Sequence, residues 1–133
     1  MRTDYTMATY SLPREHRLTR RPDFRICYET GRRYFSRYFV LFARWRTDAS
    51  SAWRMGLAVT KKTGNAVVRN RVKRVLREFF RLHGPGIPER LDIVVVPKRQ
   101  LDPSRVTLDF VAADLGPLVT GLLPDRRAGH GAS

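Results

Sequence analysis

Residues Thr63 to Arg81 read TGNAVVRNRVKRVLREFFR, and their spacing predicts a two-faced helix. Val68, Val72, Val75, Leu76 and Phe79 recur at helical spacing and form an apolar stripe. Arg69, Asn70, Lys73, Arg74, Arg77 and Arg81 fall on the other side, on an arc of about 140° at ~100° per residue. The stripe has to dock on a hydrophobic layer, so the cations opposite it are held in a fixed geometry. A rigid row of guanidinium forks suits phosphate, since each fork can donate two hydrogen bonds to one phosphate group. A merely solvated face would mix signs to gain i,i+4 pairs. This one carries five cations and no carboxylate, with Glu78 at its edge.

The rest of the chain has the same bias. Of 133 residues, 26 are Lys or Arg and 12 are Asp or Glu, giving a net charge of +14. Such a field implies a polyanionic partner, nucleic acid or an acidic membrane surface, which should also stabilise the free fold by relieving self-repulsion. A membrane-bound helix would need its apolar face free and rich in bulky aromatics. Here that face is mostly Val and Leu, and the strands described below need a helix to cover them. No apolar run approaches the ~20 residues that span a bilayer, and Met1 to Ser11 lacks the apolar core of a signal peptide. The single cysteine, Cys27, has no partner for an internal disulfide and too few companions for a zinc site. A cytoplasmic location is expected.

The length suits one domain over 12–123, between a flexible tail over 1–11 and a disordered one over 124–133. Pro22 suits the first turn of a short helix over Asp23–Thr30, and Gly31 its C-terminal cap. Phe24, Cys27 and Tyr28 then share one face. Tyr34–Arg44, Trp53–Thr60 and Leu91–Val96 read as strands. Val40 and Phe42 fall on one face of the first, and the small Gly56 and Ala58 leave one side of the second open to close approach. Thr47–Ser51 is expected as a loop. A last helix is expected from Thr107, kinked at Pro117. The pattern is that of a small α/β protein.

A protein-borne nuclease site finds no support. Metal-dependent cleavage of a phosphodiester needs clustered carboxylates, and Asp109 and Asp114 are five apart on the last helix, on different faces. His16, His83 and His130 fall in a linker, a turn and a tail, with nothing to join them, and Cys27 reads as a small thiol on an apolar helix face. No dimer seam or major-groove reading helix suggests DNA. Aromatics beside a basic groove suit unpaired bases, as in structured RNA.

The run KKTGNAVVRNRVKRVLREFFR, Lys61 to Arg81, resembles the signature of the bacterial ribonuclease P protein subunit family. Its Lys-x-Gly-x-Ala-Val-x-Arg-Asn-Arg core is met at Lys62, Gly64, Ala66, Val67, Arg69, Asn70 and Arg71, followed by Lys73, Arg74, Arg77 and Glu78. The run HRLTRRPDFRICYETGRR is similar to the family's N-terminal segment at Arg17, Leu18, Asp23, Phe24, Tyr28 and Gly31. The resemblance implies an α+β two-layer sandwich: a mostly antiparallel sheet of three to four strands, flanking helices, and a left-handed β-α-β crossover that general topology would not predict. It implies a non-catalytic protein whose holoenzyme removes the 5′ leader of precursor tRNA, the chemistry being done by a catalytic RNA and its Mg²⁺. It assigns Lys61, Lys62, Arg69, Asn70, Arg71, Lys73, Arg74 and Arg77 to the RNA subunit. It assigns Arg17, Phe24, Tyr28 and Phe42 to the leader, the aromatics lining a cleft between first helix and sheet. Phe42 departs from the family, where Tyr is frequent; stacking survives that change, while a hydroxyl hydrogen bond does not. The alternative is a ribosomal-type protein or a general RNA chaperone.

Overall fold

The structure, a computed structural model, describes residues 12–47 and 52–132, with backbone alone at Pro85 and from Leu122 onward. The tail expected over 1–11 and most of the expected loop before Ala52 lie outside the described residues. Four strands form one sheet: β1 (Arg32–Phe35), β2 (Phe39–Trp45), β3 (Arg54–Leu57) and β4 (Leu91–Pro97), in the order β1-β2-β4-β3. β1 and β2 pair antiparallel, as do β2 and β4, while β3 and β4 run parallel. Helix α1 (Arg21–Thr30) precedes the sheet, α2 (Ala66–His83) forms the crossover from β3 to β4, and α3 (Leu108–Ala132) follows it.

Side-chain alternation along β2 and β4 assigns the layers. Phe39, Leu41 and Ala43, with Leu91, Ile93 and Val95, are buried in the main core. That core is closed by Val72, Leu76, Phe79 and Phe80 of α2 and by Val111, Leu115 and Val119 of α3. The predicted stripe of α2 is thus its docking face, and each fully buried side chain there contributes about 2 kcal/mol. Asn65 caps the helix, its side-chain oxygen accepting from the Val68 N–H at 3.0 Å. The other sheet face carries α1, with Leu18, Cys27 and Val94 buried between them.

One strand is expected over Tyr34–Arg44, and the structure has two, joined by a tight turn. The turn is set by α3: the Asp114 carboxylate accepts from the Ser36 hydroxyl at 2.6 Å and from the backbone N–H groups of Arg37 and Tyr38. Pattern alone hides this, because the aromatic and β-branched run is unbroken and the carboxylate lies 78 residues from Ser36. Gly31 also differs from expectation. It ends α1 with φ −77°, so no left-handed cap forms. A Cβ there would lie 2.4 Å from the Cys27 carbonyl oxygen and 3.1 Å from that of Ala43, so glycine is required for close approach of α1 to β2. α3 runs on without a break through Pro117 and Pro124, over residues 124–132 where a structureless tail is expected. A proline removes one backbone donor and crowds one carbonyl, and neither forbids helical dihedrals in the next turn.

The second layer is anchored by a buried carboxylate. Asp92, on β4, is fully buried. Its register partners are Arg44 on β2 and Arg54 on β3. Arg54 grips it with two bonds, Nε to Oδ1 at 2.9 Å and Nη2 to Oδ2 at 2.8 Å. Arg46 reaches Oδ1 at 2.7 Å and Arg44 approaches Oδ2 at 3.6 Å. Arg54 also meets Asp23 of α1 at 3.5 Å, which ties the helix to the sheet. Replacing Asp92 by Asn keeps the shape and leaves these cations without their shared charge. Asp92→Asn is expected to lower stability by about 3 kcal/mol, against about 0.5 kcal/mol for Glu78→Gln, whose pair with Arg81 is at the surface. Urea denaturation of the two variants checks the ranking.

Candidate nucleic-acid interface

The basic row stands on the outer side of α2. Asn70 and Arg74 are exposed, while Arg69, Lys73 and Arg77 are half-buried. Arg69 donates from Nη1 to the Gly64 carbonyl at 2.9 Å, which fixes its guanidinium against the turn before the helix. That turn is tight, with the Thr63 N–H bonded to Thr60 O at 2.9 Å, and it presents Lys61 and Lys62 to solvent. Two arginines leave the row. Arg81 holds Glu78 through two bonds, of 3.0 and 2.7 Å. Arg71 donates from Nη1 to Val106 O at 2.7 Å and from Nη2 to Pro103 O. It braces α2 against the short turn Pro103–Arg105 that precedes α3.

Phe24, Tyr28 and Phe42 come together on the other face of the sheet. Tyr28 meets Phe42 edge-on, with centroids 4.9 Å apart, and Phe24 lies 6.5 Å from Tyr28. Phe24 and Phe42 are half-buried and pack on the second apolar cluster; Tyr28 is 41% exposed. Gly56 admits Phe24, since a Cβ there would lie 2.5 Å from Cζ of the ring. Cys27 fixes the helix from below, its thiol donating to Phe42 O at 3.3 Å and to Asp92 O at 3.7 Å. Burial, then the Asp92 charge, pushes that thiol up to about 12. Burial also raises Tyr28, with a further contribution from Cys27.

Two hollows connect these groups. A cavity of about 680 Å³ opens beside Tyr28, floored by Ala58 and Val96 and rimmed by Lys61, Lys62, Lys98 and Arg99, with no carboxylate in its lining. A smaller one of about 220 Å³ lies where β3 meets α2, lined by Arg17, Phe24, Gly56, Lys73 and Arg77 among others. Burial holds the Arg77 guanidinium below its ordinary range, and the positive charge of Arg17 adds to this. Two guanidinium groups and an ammonium around one small hollow favour an anion of phosphate size. Phe24 lines this hollow and Tyr28 the larger, so the aromatic set bridges the two.

Chemistry beyond binding is scarce among the described residues. No three His, Cys, Asp or Glu side chains come together in a way that could hold a metal ion. His16 stacks on Trp53 at 4.1 Å and bonds its carbonyl through Nδ1 at 2.7 Å; His83 bonds Phe79 O at 3.0 Å. The His130 side chain lies outside the described residues. No helix among them is long and apolar enough to cross a membrane.

The sequence model of the family described as Ribonuclease P matches residues 12–119. The chain belongs to the Ribonuclease P protein family. It is 60% identical over 108 residues to the Ribonuclease P protein component of Oleidesulfovibrio alaskensis, covering 81% of this chain and 86% of the relative. To that of Desulfovibrio desulfuricans it is 47% identical over 113 residues, covering 85% and 87%. Among solved structures, the RNase P protein from Thermotoga maritima superposes with a TM-score of 0.69 at 35% identity, covering 78% of this chain and 94% of that one. The RNase P protein of Staphylococcus aureus gives 0.63 at 33%, covering 71% and 84%.

Within this ribonuclease P fold the expected residues fall into three places. Lys61, Lys62, Arg69, Asn70, Lys73, Arg74 and Arg77 lie along one ridge. Phe24, Tyr28 and Phe42 share the cleft. Arg17, expected with the leader set, lies between the two, in a hollow lined by Phe24 as well as by Lys73 and Arg77, where its chain segment bridges to Met55 of β3. Lys98 and Arg99 are not foreseen from the sequence; the only signal is a cation pair directly after the proline that ends β4.

Two outcomes follow from these placements. Arg71→Ala, which removes charged hydrogen bonds to two carbonyls, is expected to cost about 2 kcal/mol of stability. Arg74→Ala, at an exposed position, should stay within about 0.5 kcal/mol; urea midpoints compare them. The Cys27 thiol is held neutral in the fold, so its stabilising share is complete below the unfolded value near 9.0 and is lost as pH rises toward about 12. At pH 8, its alkylation by iodoacetamide should track the urea-unfolded fraction, and fast modification of the folded protein would contradict its burial.

Proposed function

We propose that this chain is the protein subunit of a ribonuclease P holoenzyme. In this reading it binds the catalytic RNA subunit and the 5′ leader of precursor tRNA, so that removal of the leader gives the mature 5′ end. The observation that carries it is the adjacency, on a ribonuclease P fold, of a carboxylate-poor basic ridge and a half-open aromatic cleft. The ridge, from Lys61 to Arg77, grips phosphates of the RNA subunit. Arg69 and Lys73 are held at their roots by the helix, so little side-chain freedom is lost on contact. Arg71 serves the same surface from behind, by fixing the roll of α2.

Leader binding falls to Tyr28, with Phe42 and Phe24 as its backing. An exposed tyrosine ring supported by two packed rings is a stacking platform for an unpaired base of any identity. Arg17, Lys73 and Arg77 meet a phosphate in the smaller hollow, where the two RNA-binding surfaces join. Hydrolysis is left to the RNA subunit and its Mg²⁺, which supplies metal-bound nucleophile chemistry. The protein contributes affinity, alignment of the strand and neutralisation of phosphate charge. Neither a membrane nor DNA enters this reading, and a cytoplasmic location accords with it.

Cleavage of precursor tRNA is measured at low Mg²⁺ with protein alone, RNA subunit alone, and both together. Only the mixture should be active; cleavage by protein alone would point to a self-sufficient nuclease, and no gain from adding protein to a general RNA chaperone. With about six cations on phosphate, log K for the RNA subunit should fall against log salt with a slope of roughly −4 to −5. Arg69→Ala should weaken that affinity. Tyr28→Ala should lower the preference for precursor over mature tRNA about tenfold, the effect of one lost stacked base.

A further inference from the structure

The aromatic cleft does not end at Tyr28 and Phe42. Strand register places Phe35 opposite Val40, and Val40 opposite Val96, so the three side chains form one row across β1, β2 and β4 on the α1 face. The next row, with Phe42 and Val94, lies beneath α1. The Phe35 row is left open. Val40 and Val96 are half-buried, and Phe35 is 59% exposed at the sheet edge. Val96 is also part of the floor of the large cavity beside Tyr28, so the row continues the cleft. Strands lie about 4.8 Å apart, which puts Phe35 roughly 10 Å beyond Val96.

A singly exposed apolar residue is ordinary on a protein surface. Three features set this one apart. β1 is guarded against strand pairing by its four-residue length and by Arg32 and Arg33, so the exposed ring at its end offers a face and not a pairing edge. The ring has a cation beside it, Lys98 Nζ at 5.5 Å from its centroid. That lysine is held in position by its own backbone N–H, which donates to Tyr38 O at 2.8 Å in the β1–β2 turn. A flat apolar ring, a flexible ammonium within reach and a continuous apolar floor leading to an aromatic cleft together suit one more nucleotide of an unpaired strand.

We propose that the single-stranded leader continues past Tyr28 onto strand β1, where Phe35 stacks a further base and Lys98 meets the adjoining phosphate. This rests on the leader reading of the cleft given above. It makes Phe35 a determinant of how much leader the protein senses.

The test uses holoenzyme reconstituted with the RNA subunit and precursor tRNAs whose leaders are lengthened one nucleotide at a time. Binding is measured for wild type, Phe35→Ala, Phe35→Trp and Tyr28→Ala. Wild type should gain affinity in two stages, and Phe35→Ala should lose the later gain, on the order of tenfold. Phe35→Trp should keep it, which separates stacking from a loss of fold. Tyr28→Ala should lose the earlier gain. A Phe35→Ala curve that matches wild type, with Tyr28→Ala impaired, overturns the extension alone; curves that match for both variants overturn the leader cleft itself. If Phe35→Ala leaves the curve intact but shifts the free protein from dimer to monomer in sedimentation, the ring serves contact between copies through the β1 edge, and the proposal fails.

Discussion

The arrangement of the basic ridge and the aromatic cleft depends on one buried carboxylate. Asp92 is placed by its register between Arg44 and Arg54, one on each neighbouring strand, and Arg46 completes its shell. Arg44, Arg46 and Arg54 would otherwise repel one another in a chain of charge +14. The carboxylate turns that repulsion into a shared attachment of β2, β3 and β4. Arg54 passes the attachment on to Asp23, at the foot of α1. Tyr28 stands on the same helix, so the linkage from Asp92 through Arg54 to Asp23 ties the aromatic cleft to the sheet. A buried pair of this kind is weak evidence of net stability, since desolvation offsets much of the attraction. Its effect here is geometric: it admits one arrangement of the strands and the helix.

The arginines therefore divide by what they face. Arg44, Arg46 and Arg54 serve Asp92, Arg81 serves Glu78, and Arg71 serves two carbonyls at the turn before α3. Arg69, Lys73, Arg74 and Arg77, with Lys61 and Lys62, form a continuous ridge. Net charge alone would overcount the interface, because several of the cations hold the fold that carries it. The same division explains why the ridge is rigid. Arg69, Lys73, Arg74 and Arg77 root in a helix whose opposite face is buried in the main core and which Arg71 braces, while Lys61 and Lys62 stand on the turn before it.

Local pattern made part of this legible in the sequence. The stripe of α2, its basic face, the shared face of Phe24 and Tyr28, and the open side of Gly56 all follow from periods of 3.6 and 2 within short segments. What was not legible depends on partners distant in the chain. The break between β1 and β2 needs Asp114 of α3. The use of Gly31 depends on the carbonyls of Cys27 and Ala43, and so on the packing of α1 on β2. Arg71 reads as one more cation of a basic helix until the turn at Pro103 is seen beside it. Arg17, assigned by resemblance to the leader, stands in a hollow shared by Phe24, Lys73 and Arg77 because its segment runs beside β3, a placement no local period shows. Phe35 was one aromatic among several in an unbroken run until register gave it a face.

Gly56 shows how tightly the two surfaces are coupled. It is the point on β3 where the ring of Phe24 rests, with Leu18 beside it. On one side Phe24 backs the aromatic cleft, and on the other it lines the small hollow of Arg17, Lys73 and Arg77. A methyl group at this point would have to displace the ring or the strand, and either shift would move the cleft relative to the ridge. The distance between ridge and cleft is thereby tied to a single contact, that of an aromatic ring with a backbone that carries no side chain.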